Sequence, residues 1–105
     1  MTSHTIDHAR LRREAIRWLI LLTLNNARPV GAFEHLVLTV AQSEYPDATA
    51  LELRRELDYL HERELLKLDK QPSGRWFAVL TRHGVDVSEY TVACEPGISR
   101  PAKYW

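Results

Sequence analysis

Around Leu65 the hydrophobic pattern of this 105-residue chain changes its period. Upstream, Ala50, Leu53, Leu57 and Leu60 recur every three or four residues, the spacing of one helix face. From Leu66 the run Leu66-Lys67-Leu68-Asp69 alternates, as a half-buried strand does. A Leu-rich helix that leads straight into a strand limits the folds open to a chain of one-domain length. The start of that helix is equally well marked. Thr49-Ala50-Leu51-Glu52 is a capping box, in which the Thr49 hydroxyl accepts the Glu52 N–H and the Glu52 carboxylate reaches back to the Thr49 N–H. The helix is expected to run to about Glu64.

Downstream, Lys70-Gln71-Pro72-Ser73-Gly74-Arg75 is a turn-rich loop, and Trp76-Phe77-Ala78-Val79-Leu80 reads as the returning strand. Thr81 can cap a short helical turn through Val87. Upstream, Asp7 to Asn26 carries two apolar ridges. Leu11, Ala15, Trp18, Leu19 and Leu22 form one, and Ile16, Ile20 and Leu24 the other. Arg10, Arg13 and Arg17 lie off the first ridge. A helix apolar on two sides is either central to the domain or meets another subunit on one of them. Asn25-Asn26 followed by Arg28-Pro29 ends it. Gly31 then opens a second helix, from about Ala32 to Glu44, with Phe33, Leu36, Val37, Val40 and Ala41 on one face. Tyr45-Pro46-Asp47 breaks the chain.

Helix, helix, capped helix and hairpin is the order of a winged helix-turn-helix. The expectation is an α+β domain over residues 1–90, with three helices, a two-stranded β-hairpin wing and a short C-terminal helical turn. Residues 91–105 form an extended arm. The competing fold is a small α+β domain with the same elements and no groove-binding geometry.

Fourteen Lys plus Arg balance fourteen Asp plus Glu, which excludes a strongly basic nucleic-acid binder but leaves room for a local basic patch. A single cysteine excludes a disulfide framework and a Cys-rich zinc site. The longest apolar run, Ala15 to Leu24, is far short of the roughly 20 residues that span a bilayer. No small-residue cleavage site follows it, so a cytoplasmic protein is the simplest expectation.

Four stretches together resemble a family of small winged-helix-like proteins of Mu-type bacteriophages and prophages. They are Arg12-Arg13-Glu14-Ala15-Ile16-Arg17, Leu53 to Leu65, Trp76-x-Ala78-x-Leu80-Thr81-x-x-Gly84-x-Asp86-Val87, and Pro96-Gly97-Ile98-x-Arg100-Pro101. The resemblance covers most of the chain. It implies the winged-helix fold and a phage origin, hence a bacterial host cytoplasm. Members are mostly of unassigned role and are sometimes labelled transcriptional regulators.

In a helix-turn-helix the second helix of the motif, here the chain's third, enters the major groove of DNA. With Leu53 set at the core, Leu51, Glu52, Arg55, Asp58, Tyr59 and Glu62 are expected to face outward. One base and three acids suit DNA poorly, because carboxylates repel phosphate. Charge is also unevenly spread. Residues 1–30 carry +3, residues 31–69 carry −5, and residues 70–105 carry +2. Binding to double-stranded DNA would rest on Arg54, Arg55, Lys70 and Arg75 at phosphates and Tyr59 at a sugar or base. Arg100 and Lys103, with Tyr104 and Trp105, would serve as an arm. Base rates for the fold favour this regulator-like reading, with a homodimer spanning two half-sites. The alternative is an adaptor for a phage or host protein, with Leu51, Arg55 and Tyr59 at i, i+4, i+8 as the contact row. The row could also be no more than a solvated face with one stray leucine.

No catalytic residue, cofactor or metal site is expected. His4 and His8 stand four apart without a third ligand, and His35, His61 and His83 lie on separate elements. There is no phosphate loop, nucleophile elbow or Cys–His pair. The aromatic ending predicts a tail that packs back on the domain or on a second subunit.

Overall fold

Asp7 accepts the Arg10 N–H through its carboxylate and so starts helix α1, His8–Asn26. This is the first element of a computed structural model that describes residues 6–103. Ile16, Ile20, Leu21 and Leu24 are fully buried, so the ridge that carries three of them faces the core. The other ridge is only half covered. Trp18 is buried, edge-on to Tyr90 at 6.0 Å between ring centroids, whereas Leu11 is 50% exposed.

After α1 come a two-residue strand β1, Ala32–Phe33, and helix α2, Glu34–Glu44. The sequence pattern begins the helix at Ala32 and predicts two strands. Pairing accounts for the difference: Ala32 and Phe33 lie antiparallel to Ala78 and Phe77, with the two phenyl rings edge to face at 4.9 Å. A two-residue strand has too few positions to display alternation.

Helix α3, Ala50–Glu62, is capped by Thr49, whose hydroxyl accepts the Glu52 N–H at 3.2 Å. Only this half of the expected capping box forms. The Glu52 carboxylate instead takes two hydrogen bonds from Arg12 on α1, at 2.7 and 2.8 Å. A charge-assisted bidentate bond outcompetes a neutral backbone donor.

Strands β2, Leu66–Lys70, and β3, Trp76–Leu80, form the hairpin, and β3 is the centre of an antiparallel sheet ordered β1-β3-β2. Thr81 caps the last helix, α4, Arg82–Ser88, by accepting the Gly84 N–H at 3.1 Å. The described residues therefore form an α+β fold, with four helices and one small three-stranded antiparallel sheet. Leu53, Leu57 and Leu60 of α3 meet α1, α2 and the sheet in one core.

Residues 91–103 have no regular secondary structure, yet they pack on the domain. Ile98 is buried in the same core cluster, and the Ser99 N–H donates to the Glu14 carbonyl of α1 at 3.2 Å. Arg100 donates to the Val87 and Val92 carbonyls, and the Tyr90 hydroxyl to the Pro101 carbonyl at 2.8 Å. The predicted aromatic anchors Tyr104 and Trp105, like His4, lie outside the described residues. No helix among the described residues is long and apolar enough to cross a membrane.

Candidate interaction surface of the third helix and the hairpin

At 100° per residue, α3 divides into three tracks, and each has a different neighbour. Glu52, Glu56, Tyr59 and Arg63 face α1 and the C-terminal strap. Arg54 and Asp58 face α2 and the hairpin. Leu51, Arg55 and Glu62 remain open to solvent.

The first track is an ionic seam. Arg12 holds Glu52 and also Asp47, the latter at 2.8 Å. That bond keeps the Asp47 carboxyl below its ordinary range, chiefly because its ionised form accepts from Arg12. Arg17 donates to Glu56 at 2.8 Å and to the Gly97 carbonyl at 2.8 Å. The Glu56 side chain is 5% exposed and the Arg17 side chain 11%. Tyr59 lies between two guanidiniums, with Arg17 at 3.4 Å and Arg63 at 3.5 Å from its ring centroid. Gly97 passes so close to the Tyr59 hydroxyl that a side chain there would collide with it.

This arrangement corrects the outward face read from periodicity. Glu52 and Tyr59 are half-buried against α1 and the strap instead of facing outward. Reasoning on α3 alone assigned to solvent what α1 and the strap cover. One signal was available, since Glu56 lies beside Leu53 and Leu60 at the edge of the core-facing stripe. A carboxylate there requires a cation from a neighbouring helix.

The second track fastens the hairpin. The Arg54 Nε donates to Glu34 on α2 at 2.7 Å, and its Nη2 to the Gly74 carbonyl at the hairpin tip at 2.6 Å. Its guanidinium also lies over Trp76 at 4.7 Å. The Glu34 hydrogen bonds raise the Arg54 pKa above its ordinary value. Lys70 pairs with Asp58 at 3.1 Å and lies 4.3 Å from the Trp76 ring centroid. Arg54 and Lys70, expected at phosphates, are thus both held by carboxylates of this chain.

Of the remaining expected contacts, Arg55 is exposed and has no ion pair among the described residues. Arg75 lies over the Phe33 ring at 3.7 Å. Arg100 is half-buried in the strap, and its guanidinium is 4.4 Å from the Tyr90 ring centroid. Lys103 is exposed at the end of the described chain. His35, His61 and His83 are exposed on three different elements. No group of three or more His, Cys, Asp or Glu among the described residues is placed to hold a metal.

The third track therefore consists of Leu51, which is 61% exposed, Arg55 and Glu62, bordered by the Asp58–Lys70 pair. It presents one apolar side chain, one unpaired cation and one acid in line. No family model matches the chain, and no curated protein matches it.

Proposed function

We propose that the chain is a winged helix-turn-helix protein of the Mu-type phage kind. In this reading it serves in the bacterial cytoplasm as a non-enzymatic adaptor for a phage or host protein. The winged-helix assignment is supported by the element order, by β3 at the centre of the sheet, and by α3 lying beside the hairpin. The observation that carries the adaptor reading is the internal use of the cations a DNA reader would need. Arg54 and Lys70 are neutralised by Glu34 and Asp58, and Tyr59 is enclosed by Arg17, Arg63 and Gly97. What stays open on α3 is Leu51, Arg55 and Glu62, a mixed row suited to a protein surface with an apolar pocket and an acidic group opposite Arg55.

A second reading retains one specific support. Leu51 and Arg55 lie in the N-terminal half of α3, the half that meets base edges in a helix-turn-helix, and Arg75 is at the tip of the hairpin. Two cations neutralise few phosphates, so DNA affinity on this reading is weak and falls with salt.

Fluorescence anisotropy of labelled duplex DNA separates the two. The adaptor reading expects no saturable binding at micromolar protein, even at low salt. Salt-sensitive binding that Arg55→Glu and Arg75→Glu abolish would overturn it. On the adaptor reading, Leu51→Glu and Arg55→Glu remove a bound phage or host protein without changing the melting temperature.

A further inference from the structure

The C-terminal strap lies in a groove bounded by α1, α3 and α4, and its contacts there are those of a bound peptide. Residues 93–103 belong to no helix or strand. Between Ala93 and Ala102 the Ser99 N–H is the one backbone donor bonded to another element among the described residues, and it donates to the Glu14 carbonyl of α1 at 3.2 Å. Two strap carbonyls accept from side chains of the domain, Gly97 from Arg17 and Pro101 from the Tyr90 hydroxyl, each at 2.8 Å. Hydrogen bonds to the main chain hold an extended peptide, and pockets for particular side chains select it.

The groove selects in this way. Ile98 is 8% exposed within the core cluster, whereas residues 95, 96 and 99 around it are exposed. Gly97 has a φ of +103°, and a Cβ there would lie 2.2 Å from the Tyr59 hydroxyl oxygen, so glycine is required at that point. Glu95 stands 3.6 Å from Arg63 of α3. The Arg100 guanidinium donates to the Val87 carbonyl in the last turn of α4 at 3.0 Å. An acid, a glycine, an aliphatic residue and an arginine at i, i+2, i+3 and i+5 therefore define the peptide this surface accepts.

The strap is also the separable part of the fold. It lies on Arg17, which with Glu56 forms a pair whose side chains are only 11% and 5% exposed. Lifting the strap forfeits the burial of Ile98 but returns water to desolvated charge, which offsets part of the cost. The helices beneath it hold fully buried leucines such as Leu21 and Leu57, so they open at a higher free energy. Opening the strap uncovers Arg17, Tyr59 and Arg63, an aromatic ring between two guanidiniums, and Tyr and Arg are enriched in interface hot spots.

We infer that this groove is a peptide-binding site that the strap fills in cis. Its occupant in trans is an extended segment of another protein with the same spacing of acid, glycine, aliphatic residue and arginine. The site uses none of Leu51, Arg55 and Glu62, so it does not depend on the role proposed for that row.

Hydrogen exchange on the native full chain tests whether the strap opens by itself. The Ser99 amide should exchange at least about tenfold faster than the Leu57 amide, with little dependence on urea at low concentration. Exchange of Ser99 at the Leu57 rate, through global unfolding alone, overturns the inference. Binding is tested with a fluorescent synthetic peptide of residues 93–103 carrying Cys94→Ser. The full-length Gly97→Ala/Ile98→Asp chain cannot seat its own strap, yet it keeps the α1, α3 and α4 side of the groove. It should bind the peptide at micromolar concentration and melt at a higher temperature in its presence. The native chain should bind at least about 100-fold more weakly, because its strap competes. The peptide carrying Ile98→Asp should bind neither chain. Absence of saturable peptide binding to a Gly97→Ala/Ile98→Asp chain that retains its helical circular dichroism overturns the inference, as does equal binding by the native chain. A native dimer that Ile98→Asp dissociates would make the strap of a second copy the occupant and would overturn the assignment to another protein.

Discussion

Glu56 and Arg17 illustrate how one buried carboxylate organises its surroundings. Desolvating Glu56 costs free energy that the Arg17 guanidinium offsets, and Arg17 uses another donor to hold the strap at Gly97. Removing only the cation leaves a buried charge without a partner. Arg17→Ala should therefore lose about 3–5 kcal/mol in urea unfolding. The double replacement Arg17→Met/Glu56→Leu should lose much less, because no charge is then left behind. Equal losses would mean that Arg17 matters for packing and not for charge. Gly84 makes the same point for backbone. It sits in α4, where alanine would ordinarily gain about 1 kcal/mol in helix propensity. A Cβ there would lie 2.0 Å from the Leu65 carbonyl oxygen, which also accepts the Thr81 N–H. Gly84→Ala should therefore lower the melting temperature, and a rise would contradict the close approach of α4 to the start of β2.

At the scale of elements, the strap is the part whose contribution is least visible from its composition. Ile98 is 8% exposed within the core cluster, so Ile98→Ala should cost about 2–4 kcal/mol and lower the melting temperature by roughly 10 °C or more. Deleting residues 96–105 should do at least as much, and an unchanged melting curve would mean the strap is not part of the folded core. The lone thiol reports on the same packing. Burial pushes the Cys94 pKa up, with Arg100 opposing and Glu95 adding to the shift. At neutral pH Cys94 is therefore mostly protonated and should alkylate more slowly than a free cysteine. The same deletion removes both burial and Arg100. Because burial is the larger influence, alkylation should become faster, and slower alkylation would identify Arg100 as dominant.

These elements differ in how far they could be read from sequence. The third helix and the hairpin were legible because their signals are local. Thr49 and Thr81 are caps, the period changes at Leu65, and Pro72-Ser73-Gly74 marks a turn. Strand β1 was not, because its identity comes only from pairing with Phe77 and Ala78, far along the chain. The site was half legible. Leu51, Arg55 and Glu62 were placed on the open face correctly. Tyr59 and Glu52 were not, since what covers them comes from α1 and a segment some forty residues downstream. Arg54 was read on the flank of α3 and Lys70 at the hairpin tip, both as phosphate contacts. Their carboxylate partners Glu34 and Asp58 emerge only once α2, α3 and the hairpin are brought together.

For the whole molecule, zero net charge combined with an acidic middle and basic flanks has a solution consequence. A chain at its isoelectric point near pH 7.0 lacks colloidal repulsion, and copies can attract through regions of opposite sign. Much of that charge is nevertheless discharged internally, through pairs such as Arg12–Glu52, Arg17–Glu56, Arg54–Glu34 and Lys70–Asp58. The two tendencies have different salt signatures. Contacts between exposed patches weaken as the Debye length shortens to about 10 Å at 0.1 M salt, whereas contacts between apolar side chains do not. Static light scattering at pH 7 should therefore show attraction between copies at low salt that fades as salt is added. Association that persisted at high salt would instead place the contact on exposed apolar side chains such as Leu11 and Leu36, which carry no charge to screen. If low salt produced no higher association, the internal ion pairs would account for nearly all the charge, leaving Arg55 and Glu62 too few to drive assembly.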